Sequence, residues 1–321
     1  MKRICLLALV VGTWPGPGIA QTTEELVNDG QNSDNVLTQS LGYDRKSYSP
    51  LSQIDRQNVQ RLVPIWNTSL MNEQGELAAP AIYNGVMYVI NGRWTFAIDV
   101  ETGRQIWRTP VQLEPDIRRS AINRGAPTIY EGKLFRVTVD NHVLALDMET
   151  GEELWNCGGN LFEVIPTPAV GHGLIFCSSG RAGPTLAIRP GGQGDVTDTH
   201  VAWKTTRGSP FVPSPLVYGD YLYLVNDMSS IITCLNAKTG ETVWQERLGR
   251  PRREGISASP VVVDGKLFVT NDDGQTFVLK TGAEFELLHT NDIGTRMLAS
   301  PALVDGIWYF RTSSDLLAIG N

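Results

Sequence analysis

The chain has 321 residues, and its 27 Lys and Arg residues against 34 Asp and Glu residues give a formal net charge of −7. A negative net charge disfavours nonspecific binding to nucleic acid, which depends on basic residues that neutralise phosphates. The length allows one or two domains. The continuous repeats described below favour a single domain over residues 41–321, which we expect to be a monomer.

The N-terminus has the pattern of a secretory signal over residues 1–20. Lys2 and Arg3 precede an apolar stretch, which is followed by a small-residue cleavage site at Gly18-Ile19-Ala20. The apolar stretch is too short to span a bilayer, so we expect a periplasmic or secreted protein that does not span the membrane. Residues 21–40 are predicted to be a flexible leader, because their first part is polar and acidic.

One phrase recurs along the rest of the chain and predicts its architecture. It runs from Ala97 to Trp107, from Ala145 to Trp155 and from Cys234 to Trp244, with Thr-Gly and Trp at fixed offsets. Such self-similarity indicates one structural unit that is copied. Each unit begins at a Pro after a small residue, and these prolines recur about every 40–47 residues, the period of a propeller blade. They are Pro80, Pro127, Pro168, Pro215, Pro260 and Pro301.

The first unit predicts a four-stranded antiparallel meander. Two short apolar runs flank Asn84-Gly85, a dipeptide that favours a type I′ hairpin turn. A third strand over residues 95–98 is followed by a turn at Asp99–Gly103 and by a fourth strand that contains Trp107. A single meander cannot bury both of its faces, so the units must stack around an axis. We expect the repeated Trp to pack between neighbouring blades.

We count six blades in an all-β propeller. The third unit has a longer loop at Pro190–Asp195, and the fifth lacks the terminal Trp. The last unit has three strands only. We expect residues 62–70 to pair with Leu316–Ile319, because this exchange would close the ring and remove its open edges.

The Ala-x-Asp-x-x-Thr-Gly-x-x-x-Trp phrase resembles the repeat of pyrroloquinoline-quinone (PQQ) propellers. Residues 48–66 and Asn123-Arg124-Gly125 are similar to quinoprotein alcohol dehydrogenases, a resemblance that covers about residues 40–157. From about Pro166 the chain looks more like PQQ-like propellers without established redox chemistry, a group that includes the outer-membrane barrel-assembly propeller. The catalytic family usually has eight blades, so a fragment of a larger ring remains an alternative to six closed blades.

The resemblance also implies a site. It places Arg124, beside Asn123, on a cofactor carboxylate, and Ser178-Ser179-Gly180 resembles a cofactor-contacting turn. Arg118-Arg119 stands where the family has adjacent cysteines, and Glu76 lies nearest to the expected calcium ligand. PQQ and calcium are therefore possible cofactors, but we find no counterpart of the catalytic base or of the remaining calcium ligands.

Arginines recur in the loops that lead into the first strand of a blade. Equivalent loops of a propeller lie on one face, so the guanidinium groups would surround one mouth of the channel. They suit an anionic ligand such as the tricarboxylate PQQ, or an acidic segment of a periplasmic or outer-membrane protein. The alternative is that they are solvated charges near Glu114, Asp116 and Glu254. The arginines are Arg118, Arg119, Arg124, Arg207, Arg250, Arg252, Arg253 and Arg296.

Other reactive residues give weaker signals. Cys157, Cys177 and Cys234 follow the signal, and an odd number cannot be fully paired within one chain. The four histidines lack metal-ligand spacing, and Asp272-Asp273-Gly274 predicts a hairpin turn rather than a calcium loop. The sequence therefore favours a non-catalytic binding scaffold with an arginine-lined face. The alternative is a reduced PQQ-dependent alcohol dehydrogenase.

Overall fold

The computed structural model describes residues 22–38, 41–42, 51–71, 78–113, 125–161, 164–180, 183–249, 255–304 and 306–320. The predicted signal at residues 1–20 lies outside these ranges. Besides strands, the described residues form two short helices, α1 (Thr23–Val27) and α2 (Thr197–His200), and 3-10 turns at Asp29–Gln31 and Val59–Arg61. Neither of these described helices has the length and apolar character needed to cross a membrane.

The strands form six sheets that follow one another along the chain, and each sheet is one predicted blade. Blade 1 contains β1 (Ala81–Tyr83), β2 (Val86–Ile90), β3 (Trp94–Asp99) and β4 (Gln105–Pro110). Blade 2 contains β5 (Thr128–Tyr130), β6 (Lys133–Val137), β7 (Val143–Asp147) and β8 (Glu153–Cys157). Blade 3 contains β9 (Ala169–Gly171), β10 (Leu174–Ser178), β11 (Thr185–Ile188) and β13 (Val201–Thr205), while the short β12 (Gly194–Asp195) joins the edge of blade 2.

The remaining blades repeat this antiparallel order. Blade 4 contains β14 (Leu216–Tyr218), β15 (Tyr221–Asn226), β16 (Ile231–Asn236) and β17 (Thr242–Arg247). Blade 5 contains β18 (Val261–Val263), β19 (Lys266–Thr270), β20 (Gln275–Lys280) and β21 (Leu287–Asp292). Blade 6 contains β22 (Ala302–Val304), β23 (Ile307–Arg311) and β24 (Leu316–Ile319). The first strands of blades 2, 3 and 4 contact one another, so they lie innermost.

The repeated tryptophans join neighbouring blades, which confirms the prediction made for them. Trp107 of blade 1 donates its indole N–H to the carbonyl oxygen of Met148 in blade 2 at 3.1 Å. A Cβ at Gly151 would lie 2.5 Å from the same ring, so the repeated Gly leaves room for the neighbouring Trp. Equivalent indole bonds run from Trp66 to Val100, Trp155 to Pro190, Trp203 to Ala237 and Trp244 to Gly282. The sheets therefore stack in chain order, as in a β-propeller.

The docked tryptophans share one register within their own sheets. Each lies opposite a small residue of the third strand, which leaves space for the indole ring. The pairs are Ala97 with Trp107, Ala145 with Trp155, Ala187 with Trp203, and Cys234 with Trp244. Cys234, which takes the place of the repeated Ala, is fully buried. Blade 5, which lacks the Trp, pairs Val278 with His289 at this position.

The small residue before each proline connects neighbouring inner strands. The backbone N–H of one such residue donates to the side-chain hydroxyl of the equivalent residue in the next blade, at 3.0–3.2 Å. The resulting chain of hydrogen bonds passes through blades 2 to 6. It runs from Ala126 to Thr167, Ser214, Ser259 and Ser300.

The longer loop of the third unit braces blade 2. The carbonyl oxygen of Pro190 accepts the indole N–H of Trp155, so this loop replaces the acceptor of the missing Thr-Gly turn. Strand β12 then runs parallel to Trp155-Asn156 at the outer edge of blade 2. Trp155 is fully buried as a result.

The N-terminal segment differs from the predicted flexible leader. Residues 22–38 begin with α1, whose capping box joins Thr22 and Glu25. Leu26 and Leu37 are buried in the cluster that contains Tyr130 of β5. Val36 forms an antiparallel bridge with Ile82 of β1. These two leucines bury apolar surface against the inner strands, which orders a segment of otherwise polar composition.

The predicted closure of the ring stays a prediction. Among the described residues the sheet of blade 6 has three strands, and residues 62–70 belong to no strand. Leu316 of the outermost strand is 72% exposed and Ile65 is 89% exposed. The two segments that were expected to pair therefore both present apolar side chains to solvent.

Candidate functional site on the loop face

Two sets of loops meet on one face of the propeller, which we call the loop face. One set connects successive blades, and the other connects the second and third strands within a blade. In blades 3, 4 and 5, a side-chain oxygen of the loop within the blade accepts a hydrogen bond from a backbone N–H of the loop that precedes the blade. The bonds run from Leu161 to Ser179, from Phe211 to Asp227 and from Ser257 to Asp272.

The carboxylates of Asp227 and Asp272 anchor this face. Asp227 accepts from the Phe211 N–H at 2.9 Å, and burial raises its pKa although backbone N–H donors act in the opposite direction. Asp272 accepts from both the N–H and the hydroxyl of Ser257, at 2.7 and 2.9 Å. The turn at Asp272 connects β19 and β20, which confirms the predicted hairpin. The sequence did not reveal these anchors, because their partners lie in other loops.

The predicted cofactor-contacting turn performs the same anchoring in blade 3. Ser178 and Ser179 are fully buried or nearly so. The Ser178 hydroxyl lies 2.9 Å from that of Thr185, and the Ser179 hydroxyl donates to the Pro184 carbonyl at 3.1 Å. Both hydroxyls are thus used within blade 3. A cofactor contact by this turn, including Gly180, stays a prediction.

Most of the other predicted site residues lie outside the described residues. They are Glu76, Arg118, Arg119, Asn123, Arg124, Arg250, Arg252 and Arg253, together with the acidic residues Glu114, Asp116 and Glu254. Their roles stay predictions. Of the predicted arginines, the structure describes Arg207 and Arg296, and both are exposed in loops that connect blades.

The structure places Arg296 beside a second arginine that the sequence did not single out. Arg296 and Arg311 line one open cavity of about 390 Å³, together with Leu298, Ala299, Thr312 and Ser313. The N–H of Ser313 donates to the Arg296 carbonyl at 2.9 Å and so joins the two walls. The described residues that line this cavity include no Asp or Glu. The charged side chains among its described walls are therefore the two arginines.

Arg311 escaped the sequence reasoning because it ends a strand rather than preceding a proline. It is the last residue of β23, directly before the loop Thr312–Asp315. Its position on the loop face could have been inferred from the alignment of this strand with Val225-Asn226 and Val269-Thr270 in blades 4 and 5. The repeat therefore contained a signal for Arg311.

Within the described ranges, no group of three or more His, Cys, Asp or Glu side chains is arranged to hold a metal ion. The hydroxyls of Ser178 and Ser179 are already hydrogen-bonded inside the blade. A calcium site built from such a cluster would therefore need residues outside the described ranges.

The stacked sheets and docked tryptophans define a β-propeller, and its repeat is similar to that of PQQ-like propellers. Residues 40–126 match the family described as glucose/ethanol/alcohol dehydrogenase, beta-propeller domain. Residues 165–245 and 227–319 match the family described as outer membrane protein assembly factor BamB. The change of resemblance along the chain is thereby confirmed.

Curated relatives match part of the chain. The chain is 36% identical over 156 residues to 1-butanol dehydrogenase (quinone) of Thauera butanivorans, which is 45% of this chain and 25% of that protein. It is 36% identical over 133 residues to quinoprotein alcohol dehydrogenase PedH of Pseudomonas putida, which is 40% of this chain and 22% of that protein. The matched region therefore spans about a quarter of the length of these relatives.

Solved structures share the fold at low sequence identity. A europium-containing methanol dehydrogenase superposes with a TM-score of 0.75 at 15% identity, covering 90% of this chain and 70% of that one. BamB from Moraxella catarrhalis superposes with a TM-score of 0.55 at 16% identity, covering 76% and 71%. At these identities the likeness shows the fold, and function must be argued from the site.

Proposed function

We propose that this protein is a non-catalytic binding propeller whose loop face takes an anionic ligand at the cavity of Arg296 and Arg311. The observation that supports this proposal is the presence of two guanidinium side chains in one open cavity without an acidic residue among its described walls. The proposed location, in the periplasm or outside the cell, rests on the pattern of residues 1–20.

The cavity suits a carboxylate-bearing molecule in charge and size. Guanidinium groups donate paired hydrogen bonds to carboxylates, and these charge-assisted bonds are about twice as strong as neutral ones. A volume of about 390 Å³ is within the usual range for small-molecule sites. A planar tricarboxylate such as PQQ could engage both arginines, with the Ser313 hydroxyl as a further donor.

Titration calorimetry tests the proposal with two probes, PQQ and citrate, each at low and at high salt. We expect both tricarboxylates to bind and Arg311→Gln to raise Kd at least about tenfold, since it removes one charge-assisted contact. Arg104→Gln is the matched control, because Arg104 is exposed in the Asp99–Gly103 turn region of blade 1, away from the loop face. Equal affinities of the wild type and Arg311→Gln would contradict the proposal.

A reduced quinoprotein alcohol dehydrogenase is the second candidate. It is favoured by the match of residues 40–126 to the dehydrogenase family and by the 36% identity of part of the chain to two quinone-dependent alcohol dehydrogenases. PQQ, when bound, would supply a two-electron acceptor, but the described residues contain no cluster of three or more His, Cys, Asp or Glu side chains that could hold a metal ion beside it. Dye-linked oxidation of a primary alcohol, measured with added PQQ and calcium, tests this function. Turnover that is lost in Arg124→Ala would support it, and absence of turnover would leave the binding function alone.

A further inference from the structure

The loop face is continuous from blade 4 to blade 6. The N–H of Ile256 donates to the Asp227 carbonyl, and the N–H of Asp272 donates to the Gly255 carbonyl. The N–H of Met297 then donates to the Asp272 carbonyl, at 3.1 Å. The Arg296 carbonyl, one residue earlier, accepts from blade 6. These backbone bonds tie loops of three blades into one surface.

Exposed apolar side chains lie beside guanidinium groups at both ends of this surface. In blade 4, Met228 is 66% exposed, and its neighbour Ser229 accepts a hydrogen bond from the Arg247 guanidinium. In blade 6, Leu298 is 44% exposed in the wall of the cavity of Arg296 and Arg311. Single exposed apolar side chains are ordinary on soluble proteins, so what distinguishes these two is their position beside guanidinium groups on one surface.

We infer that this surface docks an extended acidic segment of a partner protein, with apolar side chains interspersed among its carboxylates. The inference rests on the proposed anion-binding function and names the class of ligand. Carboxylates of the segment would pair with Arg311 and Arg247, and its apolar side chains would cover Leu298 and Met228.

Two features favour a protein segment over a small anion. The two arginine-bearing positions belong to blades 4 and 6, with all of blade 5 between them, so one small tricarboxylate engages only one of them. The exposed Met228 and Leu298 would contribute nothing to a purely ionic ligand.

Fluorescence anisotropy on the full chain tests the inference with three labelled peptides of equal length. One alternates Glu and Leu, the second alternates Glu and Ser, and the third alternates Lys and Leu. We expect the Glu-Leu peptide to bind at least about tenfold more tightly than the Glu-Ser peptide, and the Lys-Leu peptide to bind least. Burial of one large apolar side chain corresponds to a change of about tenfold in affinity.

Substitutions separate this inference from the proposed function. Met228→Ser should weaken the Glu-Leu peptide about tenfold and leave the Kd of citrate unchanged, because Met228 lies outside the cavity. Arg311→Gln should weaken both ligands. Val243→Ser on the outer strand of blade 4 is the control and should change neither. If citrate binding depends on Arg311 but both acidic peptides bind equally, the inference fails and the proposed function stands. If neither ligand depends on Arg311, both fail.

Discussion

The indole N–H of Trp66 donates to the carbonyl oxygen of Val100 at 3.0 Å, and its ring covers Gly103. Trp107 makes the same two contacts with the next blade. Trp66 therefore occupies the place of an outer-strand tryptophan in a blade that precedes blade 1, although residues 62–70 are in no sheet of the described structure.

Blade 6 contains the second and third strands that such a tryptophan-bearing outer strand would complete. Its second strand places Tyr309 opposite Ala318, as blade 1 places Tyr88 opposite Ala97. In the four blades that carry the Trp, the small residue of the third strand faces that Trp. Ala318 is therefore the position at which blade 6 would receive a tryptophan from a fourth strand.

We predict that the ring closes with Trp66 opposite Ala318. In blade 1 the residue two positions after the Trp, Thr109, lies opposite Thr95, so Thr68 should lie opposite Leu316. The double variant Thr68→Cys/Leu316→Cys should form an intramolecular disulfide under mild oxidation, detected by mass spectrometry of the monomer. The described cysteines, Cys157, Cys177 and Cys234, are buried and should remain reduced. Leu62→Cys/Leu316→Cys, which is out of register, is the control, and cross-linking only between chains would refute closure within one chain.

The blades could be predicted from the sequence because, apart from β12 and β13, each strand pairs with a strand that is its neighbour along the chain. Consecutive strands joined by short turns must pair as hairpins, and the offsets of Thr-Gly and Trp mark the same turn and the same blade contact in each unit. What the offsets left open was contact between distant segments. Leu26 and Leu37 look isolated in a polar stretch, and only the apolar inner strands around Tyr130 explain their burial.

The site was less predictable for the same reason. Ser179 stands in a turn that resembles a cofactor contact, but its hydroxyl is engaged by the Leu161 N–H of another loop. In the sequence Arg311 is only the last residue of a strand, and its place beside Arg296 is evident only from the structure. The repeat alone was enough to assign the arginines before prolines to one face. The cavity of Arg296 and Arg311 could not be predicted in this way, because it depends on how two loops lie in space.

The Gly of the repeated turn should be far less tolerant of substitution where a Trp covers it. Gly151 and Gly85 both have positive φ, +74° and +78°, so each change to Ala should destabilise by about 1 kcal/mol through the backbone. A Cβ at Gly151 would also lie 2.5 Å from the Trp107 ring, whereas nothing lies within 4 Å of one at Gly85. Urea denaturation should show that Gly151→Ala costs at least about 1 kcal/mol more than Gly85→Ala. Equal losses would mean that Trp107 can move aside freely.

Arg136 should be a principal link between blades 1 and 2. It is fully buried, and its guanidinium donates to the carbonyl oxygens of Trp94 and Asn91 and to the Thr95 hydroxyl, at 2.7–2.9 Å. Arg136→Ala would remove a buried donor from each of these acceptors, of which the Trp94 carbonyl keeps the Asn91 N–H, and would open a cavity. We therefore expect a loss of about 3 kcal/mol or more in unfolding free energy. The exposed Arg108→Ala, which removes a cation–π contact with Trp94, should cost about 1 kcal/mol or less. Similar losses for both variants would argue against the link.

Asp29 should make the N-terminal segment respond to pH. Its carboxylate is fully buried and accepts from the Leu37 N–H and from the N–H and hydroxyl of Thr38. Burial raises its pKa above 3.8, and the hydrogen bonds from Thr38 and Leu37 only partly oppose this effect. The folded chain thus holds this proton more tightly than the unfolded chain. The stability gained from it is present at low pH and is lost as the pH rises through the folded pKa.

Asp29→Asn removes this titration. The variant should be less stable at every pH, because one acceptor oxygen of the carboxylate becomes an N–H₂ group that faces the Thr38 donors. The excess Tm of the wild type over the variant should be larger at pH 4 than at pH 7, since only the wild type takes up the proton on folding. Asp34→Asn in the same segment is exposed and should show no such trend. A wild-type advantage that grows from pH 4 to pH 7 would mean that hydrogen bonding outweighs burial at Asp29 and that its folded pKa is lowered.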